Sequence, residues 1–222
     1  DVLIPIATGT AQVAATTTKD IPIVFSAVST PVESGLVESL DKTDGNITGI
    51  SDNIPVEDIL DLALELKPEI KTIGLLYTSS EVNSQVKMER AKKYLDKIGI
   101  KYKEGTIINT SDLQQVASSL ASEVDAFFTT DDNTIASAMP TYVQVANEAK
   151  IPIFVGADSM VIDGGTATVG IDYTLLGKQT AQMAIRILNG SSVSENPVEQ
   201  MSKYSKLINT DQAELLGIEI SD

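Results

Sequence analysis

Short apolar, β-branched runs recur along this chain with helix-like stretches between them, and that alternation constrains the fold more than any other feature. The runs are Leu3–Ala7, Ile21–Val28, Ile47–Ser51, Thr72–Tyr77, Tyr102–Ile108, Ala126–Thr130, Ile151–Gly156 and Thr168–Asp172. They are uniformly apolar rather than alternating, the pattern of strands covered on both faces, as in a parallel sheet. Helices are expected over Gly9–Thr18, Val56–Leu66, Ser80–Ile98, Ser111–Ala121, Thr134–Ala149 and Leu175–Leu188. Val56–Leu66 sets Ile59, Leu62, Ala63 and Leu66 on one face and stops before Pro68; Ser80–Ile98 is closed by Gly99. The class is therefore α/β, a doubly wound parallel sheet with right-handed crossovers. Two lobes are favoured over one wide sheet, because Asn46–Ser51 and Thr168–Asp172 sit beside Gly and turn residues, as a chain passing between lobes would. Ser191–Pro197 is linker-like and reads as a further crossing.

Composition narrows the chemistry. The 222 residues contain no Cys, His or Trp, which removes Ser-His-Asp and Cys-His triads, thiol redox chemistry, disulfides and the usual zinc ligand sets. Sixteen Lys+Arg stand against 31 Asp+Glu, a formal charge of −15, so nucleic acid or an anionic membrane would be bound against the overall field. The chain opens at Asp1 directly into an apolar run, which reads as a processed or trimmed start, and no run is long enough to be a spanning helix.

In open parallel sheets, ligands bind outside the carboxyl ends of the strands, where helix N-termini point N–H groups outward. The first strand ends are rich in hydroxyls: Thr8-Gly9-Thr10, Ser26-Ala27-Val28-Ser29, and Tyr77-Thr78-Ser79-Ser80-Glu81. Later ones carry acids: Thr130-Asp131-Asp132-Asn133, Gly156-Ala157-Asp158 and Ile171-Asp172-Tyr173. Hydroxyls and N–H groups suit a carboxylate and acids suit an ammonium group, so a zwitterion such as a free amino acid would satisfy both. The plainer use of each such residue is as a helix N-cap.

Rival motifs do not hold up. Asp131, Asp132, Asp158 and Asp172 could hold magnesium or calcium, and a metal-dependent α/β enzyme using Asp131, Asp132 and Asp158 is the alternative from a different class. Asp41–Gly45 lacks EF-hand spacing and reads as a turn. No G-x-G-x-x-G or G-x-S-x-G occurs, and Gly170 to Gly177-Lys178 misses the P-loop pattern. Seven cations from Lys87 to Lys103 read as a solvated outer helix face with Glu89 and Asp96 as partners. Tyr77 and Tyr173 stand at strand ends, where a ring could cover an apolar ligand.

The succession Ala7-Thr8, Lys19–Val28, Gly45–Gly49, Leu76–Glu81 with Asn83-Ser84, Asp132–Ser137, and Thr168–Tyr173 with Leu176-Gly177 is similar to the substrate-binding lipoproteins of ABC importers. The subgroup is the one associated with tryptophan and other aromatic amino acids, on the type I periplasmic-binding fold. The similarity runs to Asn209–Ile218. It implies two doubly wound parallel-sheet lobes joined by hinge strands. The first would be residues 1–50 plus 170–195 and the second 51–169 plus 196–222, with one solute in the cleft and hinge closure on binding. Members begin with a β-α-β-α unit that has no counterpart here, so the first lobe is expected to lack it and to expose an apolar edge. Carried over position by position, Thr8, Ser26, Ala27, Tyr77, Ser79, Ser80, Asp132, Asn133, Asp158 and Asp172 fall where the family lines its cleft, with Asp158 in the loosest-matching block.

The resulting expectation is a non-catalytic solute-binding component of an ABC importer for a free, preferentially aromatic amino acid. Thr8 and Ser79-Ser80 would hold the carboxylate, Asp132 or Asp158 the ammonium group, and Tyr77 or Tyr173 the side chain. The alternative within the fold is a sugar or nucleoside. The expected partners are this small ligand and a membrane permease, without nucleic acid or cofactor. The expected location is extracytoplasmic, lipid-anchored or periplasmic.

Overall fold

The computed structural model describes residues 1–43 and 45–220. Asp44, within the turn expected over Asp41–Gly45, and residues 221–222, within the tail given to the second lobe, lie outside the described residues. In chain order the elements are α1 (Thr8–Thr17), β1 (Ile23–Ser26), β2 (Ile47–Ser51), α2 (Val56–Leu66), β3 (Thr72–Thr78), α3 (Val82–Ile98), β4 (Lys101–Ile107), α4 (Leu113–Ala121) and β5 (Ala126–Thr129). There follow α5 (Asn133–Ala136), α6 (Met139–Ala149), β6 (Ile153–Val155), α7 (Asp158–Ile162), β7 (Ala167–Gly170), α8 (Tyr173–Leu188), β8 (Glu199–Gln200), β9 (Ser205–Ile208) and α9 (Thr210–Leu216). They form two compact units, unit 1 of Asp1–Ile54 with Ile171–Tyr204 and unit 2 of Pro55–Gly170 with the chain from Ser205 onward.

Unit 1 is built on a parallel sheet in the order β1-β2-β8. The run expected as a first strand is present as a short parallel ladder beside β1: Leu3 N donates to Pro22 O and Ser26 N to Pro5 O, both at 2.9 Å. Pro5 has no N–H to return, which suits it to a sheet edge. Ile23, Phe25, Val28, Leu36 and Ile47 form the core with Ala11 and Val198. Gly49 is required here, because a Cβ would fall on Phe25 O of the paired strand. Residues 196–204 belong to this unit rather than to the second lobe expected for them. β8 pairs with β2, and the buried Asn196 accepts Thr48 Oγ1 on its carbonyl at 2.7 Å and Arg186 Nε on its Oδ1 at 2.8 Å. The third crossing therefore comes after Tyr204.

Unit 2 carries a six-stranded sheet in the order β4-β3-β5-β6-β7-β9. Its strands are parallel except β9, which runs antiparallel to β7 from Ala167↔Ile208 to Gly170↔Ser205 and corrects the all-parallel expectation. α2 and α3 pack together, as do α4 and α6. On α2 the predicted Ile59, Leu62 and Ala63 are buried, and Leu66 is half-buried. The expected helix Thr134–Ala149 is split into α5 and α6. Ala138 leaves the helical region at φ −122°, ψ 20°, and Pro140, which cannot sit inside a continuous helix, opens the first turn of α6.

The core beneath the sheet includes Phe127 and Tyr142, with ring centroids 5.0 Å apart at 53°. Thr129 Oγ1 donates to Leu76 O at 2.9 Å, so the Tyr142 hydroxyl, 3.1 Å away, is the donor to Thr129. Complete burial pushes this phenol far above its ordinary value. Tyr142→Phe removes one internal hydrogen bond and leaves Thr129 satisfied by Leu76. The expected cost is about 1 kcal/mol, read as a melting-temperature drop of roughly 2–4 °C; no drop would show that the bond contributes nothing net.

Candidate functional site

In unit 2 the carboxyl ends of β3 and β5 are joined through Asp132. Its side chain is fully buried and both oxygens are taken. Oδ2 accepts Thr78 N at 2.7 Å and Ser84 Oγ at 2.8 Å, and Oδ1 accepts Thr78 Oγ1 at 2.7 Å and Ile135 N at 2.9 Å. A carboxylate offers about four lone-pair directions, so Asp132 is occupied by its own unit. It is the N-cap of α5 and the tie between β3, β5 and α3. The expectation that it meets a ligand ammonium group gives way to this positioning function. Burial raises its pKa, the charge of Glu81 adds to that, and the hydrogen bonds act in the opposite direction.

Glu81 supplies a second cap to the same short helix. Its Oε2 accepts Asn133 N at 2.9 Å and Asn133 Nδ2 at 2.8 Å, and its Oε1 accepts Thr134 N at 2.8 Å and Thr134 Oγ1 at 2.7 Å. Asp131 pairs with Lys87 Nζ at 2.8 Å, and Asn83 Nδ2 donates to the Asp131 carbonyl at 3.0 Å. Lys87 is only 2% exposed, so it does not belong to the solvated face expected for its charge run. Lys92 does, bridging Glu89 and Glu104.

The other unit 2 candidates divide. Ser79 spends both its N–H (2.9 Å) and its hydroxyl (3.2 Å) on Ile107 O, tying β3 to the end of β4. Ser80 and Asn133 are exposed. The Tyr77 hydroxyl donates to Glu104 Oε2 at 3.1 Å, and burial followed by this acid raises its pKa. Its ring lines a hollow of about 290 Å³ with Ser79, Gln85, Val86 and Glu89. Asp158, half-buried, opens α7 and lies against the end of β7, where a Cβ on Gly170 would fall on its Oδ1. Thr130, 1% exposed, has its hydroxyl buried without a hydrogen-bond partner among the described residues.

In unit 1, Thr8 is buried at the first position of α1, whose start has neither a side-chain cap nor an acid in its first turn. The leading N–H groups of such a helix suit an anion. Two non-glycine residues here adopt positive φ: Ala7 at φ 70°, ψ 162°, and Ala27 at φ 53°. That strain, of order 1–3 kcal/mol each, is a mark of functional strand ends. Ser26 Oγ lies 2.9 Å from Thr180 Oγ1 of α8. Asp172 is exposed and caps α8, accepting Leu175 N at 3.0 Å. Next to it the Tyr173 hydroxyl donates to Asp52 Oδ2 at 3.1 Å.

Asp52, Glu81, Lys87 and Thr130 were not among the residues expected to line the site, although Glu81 and Thr130 stand in the strand-end segments noted from sequence. For Lys87 a signal exists: Ser84, Lys87, Met88, Ala91 and Leu95 follow the three-and-four spacing of one buried helix face. The acids proposed as metal ligands are used otherwise, Asp131 by Lys87 and Asp132 by four donors. Among the described residues no group of three or more His, Cys, Asp or Glu converges on a metal-sized point.

Comparison with known proteins agrees with this arrangement. The chain is 39% identical over 219 residues to the tyrosine-binding protein of Clostridioides difficile, covering 99% of this chain and 64% of that protein. It thus spans just under two thirds of that relative's length. A Streptococcus pneumonia ABC domain solved in complex with L-Trp is 38% identical at a TM-score of 0.96, covering 100% of this chain and 75% of that one. A conserved domain protein from Vibrio cholerae O1 biovar eltor is 40% identical at the same TM-score and coverages. With two α/β units on parallel sheets, uncapped and strained strand ends, and a match across residues 1–222 to the family described as ABC transporter substrate binding protein, the chain belongs to that family.

Proposed function

We propose that this protein binds a free amino acid, aromatic by preference, outside the cytoplasmic membrane and delivers it to an ABC permease without catalysing a reaction. The observation that carries the reading is the identity of 38–39% over essentially the whole chain to one protein named for tyrosine and another solved with L-Trp. The strand ends support it. The start of α1 offers uncapped N–H groups and the buried Thr8 for a carboxylate, and the acids of unit 1 suit an ammonium group. Of the residues expected to touch ligand, Thr8, Ser26, Ala27, Asp158 and Asp172 keep that proposed part, with Tyr173 beside them. Ser79 and Asp132 hold the strand ends in place instead.

Calorimetry on the full-length protein with a panel of amino acids, a sugar and a nucleoside tests this. Binding of tyrosine or tryptophan at least tenfold tighter than alanine is expected, since burying an aromatic side chain contributes about 1.5–3 kcal/mol. Affinity for the sugar or nucleoside with none for any amino acid would overturn it.

A further inference from the structure

We propose that Asn133, its side-chain amide locked by Glu81, presents the acceptor that reads the ring donor of the bound aromatic amino acid, the phenolic O–H of tyrosine or the indole N–H of tryptophan; this rests on the amino-acid reading above.

Glu81 is the N-cap residue of α3, yet its side chain makes no bond to that helix. It reaches instead to α5, 52 positions further along the chain at Asn133. Both oxygens are spent there: Oε2 accepts Asn133 N at 2.9 Å and Asn133 Nδ2 at 2.8 Å, and Oε1 accepts Thr134 N at 2.8 Å and Thr134 Oγ1 at 2.7 Å. The backbone of Glu81 is itself held, its N–H donating to Thr78 O at 3.2 Å and its carbonyl accepting Gln85 N at 3.0 Å. The two backbone bonds cap α5 beside the Asp132 bond to Ile135 N. The bond to Nδ2 does something further, because it fixes which way the Asn133 amide faces.

A carboxylate only accepts, so the amide atom set against it has to be the nitrogen, and Oδ1 is turned away. Asn133 is exposed, and its Oδ1 accepts no hydrogen bond among the described residues. It stands just past the carboxyl end of β5, on the side of a parallel sheet where ligands bind, as an oriented neutral acceptor backed by a negative charge. Such an atom cannot meet the ligand's carboxylate. An ammonium group is met better by a carboxylate, and those of Glu81 and Asp132 have their oxygens taken. A neutral ring donor is the match: the rings of tyrosine and tryptophan each carry one, and that of phenylalanine carries none. A site built around this bond rejects the analogue that lacks the donor, because its acceptor is then left unmet.

The experiment is a matched-ligand calorimetric comparison on the full-length protein. L-Tyrosine is set against L-phenylalanine, and L-tryptophan against 3-(3-benzothienyl)-L-alanine, in which sulfur replaces the indole N–H. The parent is expected to favour the member with the ring donor by roughly tenfold or more in each pair. Asn133→Ala should bring both ratios to within about threefold by weakening tyrosine and tryptophan, with phenylalanine nearly unchanged. Glu81→Ala should lower the ratios by about threefold or more, and in the Asn133→Ala background it should lower them no further, since it acts through Asn133. A purely structural Glu81 would weaken both members of a pair alike and leave the ratio at the parent's. Titrations are run well below each variant's melting midpoint, and if Glu81→Ala does not melt cooperatively, Glu81→Met, which keeps the length without an acceptor, carries the same comparison. Parent-like ratios in Asn133→Ala or in the Glu81 variant overturn this inference alone, as does a parent that binds phenylalanine as tightly as tyrosine. A parent that binds none of the amino acids overturns the functional reading together with it.

Discussion

Asp132→Ala is expected to destabilise unit 2 by about 3–5 kcal/mol, the largest single effect among the polar residues of the site. Removing the carboxylate strands two backbone donors, Thr78 N and Ile135 N, and two hydroxyls, Thr78 Oγ1 and Ser84 Oγ, in a place with no solvent exposure. Each buried N–H left without an acceptor costs about 1–3 kcal/mol, while the hydroxyls can rotate toward other acceptors. The loss also removes one of the two caps of α5 and the tie between the ends of β3 and β5. Asp132→Asn keeps one acceptor oxygen and turns an amide NH2 toward existing donors, so an intermediate cost is expected. Urea denaturation followed by circular dichroism measures both. A cost below about 1 kcal/mol for Asp132→Ala would mean that the four hydrogen bonds are not what holds these strand ends together, and would return Asp132 to the pool of ligand-facing acids.

The strand-end acids show how far the sequence could be read. Strands buried on both faces announce themselves through uninterrupted apolar runs, and β1 to β7 lie within a few residues of the expected ones. α2 begins and ends where its apolar spacing and the following Pro68 place it. Elements whose order comes from tertiary pairing were not legible. β8 is two residues long, and β9 has the pattern Ser-Lys-Leu-Ile, half exposed at a sheet edge. Neither has an apolar run of its own. α9 did carry signals, Asn209 as its N-cap and Gly217 at φ 66° beyond its end, but they followed a stretch read as linker and tail.

The same limit applies to the site. Position after a strand identifies Asp132, Asp158 and Asp172 equally well, because each is a strand-end acid. What separates them is their surroundings: four donors take both oxygens of Asp132, Asp172 accepts the Leu175 N–H at a helix start, and Asp158 lies beside Gly170 at the end of β7. Nothing in a one-dimensional pattern encodes that. Asp52 sat behind Ser51 with no helix start to draw attention to it, since the next helix opens at Val56 after Pro55. Its partner Tyr173 is 121 positions away. Ala7 and Ala27 are cases in which the resemblance or the position flagged a residue whose physical peculiarity, a positive φ without glycine, only the backbone reveals.

Gly156→Ala is the second change expected to be severe, at about 3 kcal/mol, and its cause is steric rather than polar. Gly156 directly follows β6, beside the end of β5. A Cβ built there would fall on Asp131 N, 2.5 Å from Thr130 C and 2.8 Å from Thr130 Cα. Backbone atoms cannot swing aside as a side-chain tip can, so one strand end has to move, and overpacking of this kind costs about 1–3 kcal/mol or more. The segment displaced is Thr130-Asp131-Asp132, which carries the Lys87 ion pair and the Asp132 hydrogen bonds. The damage should therefore reach the end of β3 as well. Gly177→Ala provides the opposite case. Gly177 lies within α8 with nothing inside 4 Å of a Cβ, and alanine there should stabilise by about 0.5–1 kcal/mol through helix propensity. Unfolding midpoints of the two variants should thus move in opposite directions from the parent. A Gly156→Ala protein as stable as the parent would show that the β5 and β6 ends can separate without loss, and that the close approach of their backbones does not set the geometry of the site.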